Sequence, residues 1–198
     1  MQNAMPRITR DSLMSLEAYA RARNEFRSKV IAHKKARKVA LGDHVTLLFE
    51  DELTIRYQVQ EMLRIERIFE DADIASELEA YNPLVPDGHN FKATMLIEYP
   101  DPGERKIWLE RLRGIEQNVW LEVTDFPRVF AIADEDLERA NEEKTSAVHF
   151  LRFELPAPAR AALRGGAELA FGIDHPQYRA ESGKLLPATR SSLVADLT

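Results

Sequence analysis

The chain has 198 residues, of which 44% are hydrophobic and 30% are charged, and its formal net charge is −6. This length and hydrophobic content suffice for one domain of ordinary size with a proper core. The absence of cysteine excludes disulfides, thiolate metal sites and cysteine nucleophiles, and the negative charge makes nucleic-acid binding an improbable function.

The charge is unevenly distributed along the chain. Residues 1–38 contain ten Lys and Arg against three acidic residues, a net charge of +7, so the remainder carries −13. The basic surface either pairs with acidic elements of the same protein or docks an anionic partner. The first interpretation is favoured because residues 51–80 contain nine acidic residues against three Arg.

The first predicted element is a long helix that begins at Thr9 or Asp11 and reaches Val39, with Gly42 as its stop signal. Helical spacing groups one apolar stripe, which comprises Leu16, Tyr19, Phe26, Val30 and His33. The other faces carry the basic residues Arg21, Arg27, Lys34, Lys35 and Lys38. The N-terminus lacks the apolar core of a signal peptide, and no apolar run could span a bilayer, so we expect a soluble, cytoplasmic protein.

Residues 44–71 are expected to organise the rest of the chain. Residues 44–50 predict a strand, and residues 53–70 carry apolar side chains on nearly every side, which is typical of a helix buried on more than one face. Leu53, Ile55, Tyr57 and Val59 also alternate with polar residues as in a strand, but Asp51 as N-cap favours the helix. A shorter helix over 74–81 follows, ended by prolines in the loop NPLVPDGHN.

The second half of the sequence predicts strands alternating with helices. Strands are expected at FKATMLIEY, NVWLEV, RVFAIA and SAVHFLRFEL, and helices at PGERKIWLERLRGIE and the acidic DEDLERANEE. This is the βαββαβ order of ferredoxin-like folds over residues 90–155. A short helix over 156–163 and a strand at ELAFGI follow.

These elements predict an α+β fold in which an N-terminal helical part packs on a mostly antiparallel sheet. The predicted organisation is a helical segment with one strand over residues 1–89, a sheet segment over 90–180 and a polar tail over 181–198. We expect the segments to form one cooperative domain.

Motifs for P-loop hydrolysis, dinucleotide binding and the hydrolase nucleophile elbow are absent from the sequence. The histidines are candidates for a metal site of nitrogen and oxygen ligands, which would suit iron, manganese or zinc. Three of them stand beside or within two residues of an aspartate, namely His44, His89 and His175, and His149 is the fourth candidate. Because no two histidines stand at helical ligand spacing, chance placement in Asp-rich loops is the favoured alternative.

Two further groups are candidates for chemistry. If residues 53–70 are helical, then Tyr57, Glu61 and Arg64 share a face and could form an acid/base relay, although a structural ion pair is the commoner outcome. Lys144, Thr145 and Ser146 precede the fourth predicted strand and could form a ligand-binding loop, or an ordinary connection.

Several long segments of the chain together carry a resemblance to known proteins, namely the stretch from ITRDSLMSLEAYARARNEF to HVTLLFED, then YQVQEMLRIERIF, YNPLVPDG, EKTSAVHFLRFEL and GIDHPQY. These segments resemble the bacterial domain of unknown function 3501 family. The likeness covers about residues 7–180. Members of that family are often encoded beside rubrerythrin-like and iron–sulfur reductase-like proteins, which implies a link to redox or peroxide metabolism. The resemblance implies no catalytic residues.

Two functional hypotheses follow from these observations. The first is a non-enzymatic accessory or binding protein that docks to a redox or iron-linked partner, and the second is a metal-dependent or acid/base enzyme that uses His and carboxylate groups. A homodimer is also expected, since an edge strand or the apolar face of the first helix could be covered in that way.

Overall fold

The computed structural model describes residues 7–136, 139–141 and 143–198, and it confirms the α+β class. Two antiparallel sheets enclose the larger core. The strands of the first sheet, in spatial order, are β1 (Lys38–Leu41), β2 (Val45–Phe49), β3 (Asn90–Ile97), β7 (Val148–Glu154) and β6 (Ile132–Ala133). The strands of the second sheet are β5 (Val129–Phe130), β4 (Val119–Val123), β8 (Leu169–His175) and β9 (Tyr178–Glu181).

The first helix is shorter at both ends than the sequence predicted. The helix α1 spans Leu16–Lys35, and the Ser15 side chain caps it by accepting a hydrogen bond from the amide of Ala18. A short 3-10 turn, Arg10–Ser12, precedes it. The prediction that the helix reaches Val39 was wrong, because Val39 and Leu41 alternate into the core as part of β1. Because this strand is only four residues long and directly follows a basic segment, the sequence shows no apolar run long enough to predict it.

The helix α2 spans Glu52–Glu66, so the helical interpretation of residues 53–60 is confirmed. Asp51 accepts a hydrogen bond from the Thr54 amide, as an N-cap does. All side chains of α2 up to Arg64 are at least partly covered, whereas Ile65 is 60% exposed. The following helix α3 spans Asp71–Tyr81.

A second, smaller core lies within the N-terminal helical part. Its buried members are Ile8, Leu13, Ile55, Val59, Leu63, Ile74, Leu78 and Val85. The apolar face of α2 therefore packs against α3 and the chain segments on either side of the two helices. This smaller core explains why the helical part is structured although most of α1 is polar.

The ferredoxin-like succession is not realised as a single sheet. The strands β3 and β7 are neighbours in the first sheet, but β4 lies in the second sheet. The predicted strand RVFAIA is split at Ala131 into β5 and β6, which pair in different sheets. The order strand, helix, strand was thus correctly predicted for β3, α4 and β4, whereas strand pairing depends on contacts between residues that are distant in sequence. The acidic helix predicted over 134–143 includes residues 137, 138 and 142, which lie outside the described residues.

The remaining helices are α4 (Pro102–Arg111), α5 (Ala157–Arg164) and α6 (Pro187–Val194). The last of these corrects the prediction of a polar tail after residue 180. Leu193 and Leu197 are buried in the larger core, so the C-terminal segment is folded against the sheets. In the described part of the chain, no helix combines the length and apolar character needed to cross a membrane.

Candidate functional site

A cavity of about 500 Å³ lies on the outer face of the first sheet. Side chains alternate along β3 and β7, so Lys92, Thr94, Phe150 and Arg152 point away from the larger core. The loop that follows α3 forms one wall of the cavity with Pro83 and Leu84. The charged lining residues are Glu50, Asp87, Lys92, Glu135, Asp136 and Arg152.

Both cationic side chains that line the cavity, Lys92 and Arg152, already have hydrogen-bond partners within the protein. The Lys92 ammonium donates a hydrogen bond to the Pro83 carbonyl, and burial lowers the pKa of this lysine. The Arg152 guanidinium donates to both carboxylate oxygens of Glu135, at 2.7 and 2.8 Å, and to Glu154 at 2.6 Å. These hydrogen bonds raise the pKa of Arg152 and lower that of Glu135. The cations therefore hold the walls of the cavity in place.

Glu50 stands at the end of β2 and is only 3% exposed. Its carboxylate accepts hydrogen bonds from two threonine hydroxyls, Thr54 at 2.5 Å and Thr94 at 2.8 Å. Within the described residues, Glu50 has no ion pair with Lys, Arg or His. A buried carboxylate ordinarily has a cationic partner, so this group is the unusual member of the cavity lining.

Glu61, the candidate carboxylate on α2, lies at the centre of a polar cluster, and most of its partners come from α1. Arg23 donates from Nε to Oε1 of Glu61 at 2.7 Å and from Nη2 to Oε2 at 2.9 Å. Tyr19 donates its hydroxyl to Oε1 at 2.6 Å, and Arg64 donates to Oε2 at 3.1 Å. Tyr57 instead packs its ring against Phe26, with 6.0 Å between the ring centroids.

The hydrogen bond from Arg23 lowers the pKa of Glu61 to about 2, against the desolvation that accompanies partial burial. Burial, together with the hydrogen bond to Glu61, raises the pKa of Tyr19. A carboxylate with such a low pKa is a poor general base near neutral pH. The contacts of Glu61 fit a structural ion pair, which was the commoner outcome expected from the sequence, and this ion pair joins α1 to α2.

The structure brings two of the predicted candidates, His149 and Thr145, into one buried cluster. His149 is fully buried, and its Nδ1 lies 2.6 Å from the Asp134 carboxylate. Its Nε2 lies 2.9 Å from the Thr145 hydroxyl, which is itself 3.2 Å from the Glu116 carboxylate. The order carboxylate, imidazole, hydroxyl is that of a catalytic triad. Thr145 is 1% exposed, and neither Thr145 nor His149 lines the cavity described above, whereas Glu50 does.

Lys144 and Ser146 do not join this cluster through their side chains. Lys144 is exposed, and the Ser146 hydroxyl accepts a hydrogen bond from the amide of Val148. The Ser146 carbonyl lies 3.1 Å from the Nε2 of His149. Residues 144–146 therefore form the connection that leads into β7. The middle residue, Thr145, is buried in the core.

The other candidate histidines make contacts of different kinds. The His44 ring stacks on Tyr99, with 4.0 Å between centroids, and its Nδ1 lies 3.0 Å from the Glu98 carbonyl. His175 uses both ring nitrogens, one toward the Arg113 carbonyl at 3.0 Å and one toward the Gln177 amide at 3.2 Å. His89 is exposed. In residues 7–136, 139–141 and 143–198, no three His, Asp or Glu side chains are grouped as metal ligands.

The comparison with protein families gives a match over residues 7–197 to a model described as a protein of unknown function, DUF3501. The chain belongs to the DUF3501 family. The resemblance seen in the sequence is therefore confirmed, over nearly the whole chain.

A solved structure from Burkholderia pseudomallei K96243 is also similar, and it is described as a novel protein of unknown function. The TM-score is 0.91 at 55% sequence identity, and the match covers 96% of this chain and 99% of that chain. No curated protein matches this DUF3501 chain. The comparisons thus establish the family and the fold, and they carry no activity with them.

One polar centre of this DUF3501 protein was missed entirely by the sequence analysis. Arg37 is 1% exposed and donates to the carbonyl oxygens of Phe49, Glu50 and Ser192 at 3.0–3.1 Å, and to the Asp196 carboxylate. It lies in a basic run, where neighbouring residues are solvated, so no local signal distinguishes it.

The carboxylates around Arg37 respond differently to burial. Burial raises the pKa of Asp196 to about 6, although Arg37 opposes this shift. Burial acts in the same direction on Asp51, but there Arg37 and the Thr54 amide prevail, and the pKa is lowered. His33 also contacts Asp51, at 2.5 Å. The cluster joins α1, β2 and α6.

Proposed function

We propose that this protein is a non-enzymatic binding protein that holds a small polar organic molecule in the cavity on the outer face of the first sheet. The observation that carries the proposal is the cavity itself, about 500 Å³ in volume and lined by both apolar and charged side chains. Small-molecule sites have this size and this mixture of an apolar body with a few polar groups.

The other polar centres support a binding role over acid/base catalysis. Glu61 is held by Arg23 and Tyr19, and His149 is sealed inside the core between Asp134 and Thr145. These groups have internal partners, whereas the cavity offers a concave surface with space for a ligand.

Fragment binding followed by nuclear magnetic resonance tests this proposal. A mixture of small polar organic fragments should shift the backbone amide signals of Lys92, Phe150 and Arg152, which line the cavity. The amides of Glu122 and Asp174 on the second sheet serve as the control and should not move. Shifts confined to the second sheet, or no shifts at all, would contradict a ligand site in the cavity.

A second function, docking of an acidic partner protein, is favoured by the surface of α1. Part of its positive charge is used internally, because Arg23 pairs with Glu61 and His33 contacts Asp51. Within the described residues, no ion pair is made by Arg21, Arg27, Lys34 or Lys35. We propose that these four residues form the docking surface. A redox or iron-linked identity for the partner, and a homodimer, stay predictions.

Charge reversal separates this docking surface from general charge effects. The variant with Arg21, Arg27, Lys34 and Lys35 changed to Glu should lose partners that are captured from a lysate by the native protein and released by salt. The matched control reverses four exposed basic residues elsewhere, namely Lys106, Arg111, Arg164 and Lys184. Equal capture by both variants would exclude α1 as the docking surface.

A further inference from the structure

The cavity lining contains more negative than positive charge. Four carboxylates, Glu50, Asp87, Glu135 and Asp136, stand against the two cations Lys92 and Arg152. Arg152 is bound by Glu135 within the lining and by Glu154 beside it, and Asp136 pairs with Arg139 at 2.9 Å. Lys92 interacts electrostatically with Asp87, so Glu50 is the lining carboxylate that has no ion pair with Lys, Arg or His within the described residues.

The uncompensated charge is concentrated at Glu50, which is the most deeply buried of the four carboxylates. Its neighbours Thr54 and Thr94 are neutral donors, and each occupies one of its two oxygens. A carboxylate has about four acceptor positions, so Glu50 can accept further hydrogen bonds. Glu50 lines the cavity, and a donor group of the ligand would bind at these remaining positions.

The nearest buried cation, Arg37, does not neutralise the Glu50 carboxylate. Arg37 donates to the backbone carbonyl of Glu50 at 3.0 Å, while its charge is met by Asp196 and Asp51. Lys92 is directed to the Pro83 carbonyl and interacts electrostatically with Asp87 and Glu135. The two threonines orient the Glu50 side chain without neutralising it, as a preformed receptor for a cation would require.

We infer that Glu50 binds a cationic nitrogen of the ligand, an ammonium or guanidinium group, so that the cavity selects amines over neutral or anionic molecules of the same shape. The inference rests on the proposed binding function and adds the chemical class of the ligand. Hydrogen bonds between a cationic nitrogen and a carboxylate are short and strong, and the burial of Glu50 favours them over exchange with water.

Three probes of equal length test the inference, namely n-pentylamine, 1-pentanol and n-pentanoate. Pentylamine should shift the cavity amides with a Kd of about 1 mM, a reasonable affinity for so small a ligand. The alcohol and the carboxylate should bind about tenfold more weakly or less. This comparison uses the native protein, so it does not depend on whether any variant folds.

The variant Glu50→Gln should lower the affinity for pentylamine about tenfold, with a native circular dichroism spectrum. The matched control is Glu98→Gln. Glu98 is also a carboxylate that accepts a threonine hydroxyl, from Thr46 at 2.7 Å, but it is exposed and lies outside the cavity. The control should bind pentylamine as the native protein does.

Each contrary result has a distinct meaning. Equal binding of pentanol or pentanoate at the cavity amides would overturn the role of Glu50 and leave the binding function standing. An unchanged affinity in Glu50→Gln, or an equal loss in Glu98→Gln, would also overturn it. If none of the probes and none of the fragments shift the cavity amides, the binding function fails together with the inference.

Discussion

At the scale of single residues, the protein shows how the partner of a charged group decides its role. Glu61 and Glu50 are both partly or fully buried glutamates near α2, yet Glu61 binds two arginines and Glu50 binds two hydroxyls. Ion pairing makes Glu61 part of the framework. The neutral neighbours of Glu50 leave its charge available to a ligand.

Replacement of Glu61 tests its structural role. The variant Glu61→Gln should lower the free energy of unfolding by about 1–2 kcal/mol at neutral pH, because hydrogen bonds from Arg23 to a carboxylate are lost. Urea unfolding measures this change. The control Glu52→Gln disrupts the more exposed pair with Arg56 on the same helix and should cost less than about 0.5 kcal/mol.

The difference in unfolding free energy between the native protein and Glu61→Gln should also depend on pH. The pKa of Glu61 is lowered to about 2 from an ordinary value of 4.5, so the unfolded chain takes up a proton first as the pH falls. The stability contributed by the ionised group is complete above pH 4.5 and is lost as the pH falls toward about 2. The difference between native protein and Glu61→Gln should therefore shrink over that range. A difference that is constant between pH 5 and about pH 2 would contradict the role of ionisation.

At the scale of elements, buried polar clusters join segments that are distant from one another in sequence. The His149 cluster connects the 3-10 turn that contains Glu116, the bend at Asp134 and the strand β7. Asp134 has a positive φ of 51°, which is unusual for a residue with a side chain. Its hydrogen bonds to His149 and to the Phe150 amide hold it in that conformation.

Removal of the imidazole should therefore destabilise the protein strongly. We expect His149→Leu to lower the free energy of unfolding by about 1–3 kcal/mol, because the Asp134 carboxylate loses a partner inside the core. The control His44→Leu removes a half-buried ring that stacks on Tyr99 and should cost about 1 kcal/mol or less. Equal losses in urea unfolding would show that the cluster contributes no more than surface packing does.

At the scale of the whole molecule, the C-terminal helix is secured by charge as well as by apolar packing. Leu193 and Leu197 enter the larger core, while Arg37 reaches from the end of α1 to Ser192 and Asp196. Arg37 thus links the N-terminal part of the chain to its last helix, across 159 positions of sequence. We expect this link to contribute, together with the two leucines, to holding residues 187–197 against the rest of the fold.

Loss of the Arg37 charge should release this helix. The variant Arg37→Met leaves Asp196 and Asp51 with a missing partner and should lower the free energy of unfolding by about 3–5 kcal/mol. Hydrogen exchange of residues 187–197 should accelerate more than that of β2 or β3. The exposed Arg164→Met on α5 is the control and should change neither quantity measurably. Unchanged exchange in α6 would show that leucine packing alone holds it.

The sequence by itself determined the fold class, the order of most elements and the capping of α2 by Asp51, because these depend on local periodicity and on neighbouring residues. It also placed Glu61 and Arg64 on one helical face, although Arg23 and Tyr19, which complete that cluster, lie about forty positions away. Only the tertiary structure decided the division of the strands between two sheets, the burial of Arg37 and the cavity at Glu50. Each of these depends on which distant segments meet, and a contact between distant segments leaves no local pattern in the sequence from which it could be predicted.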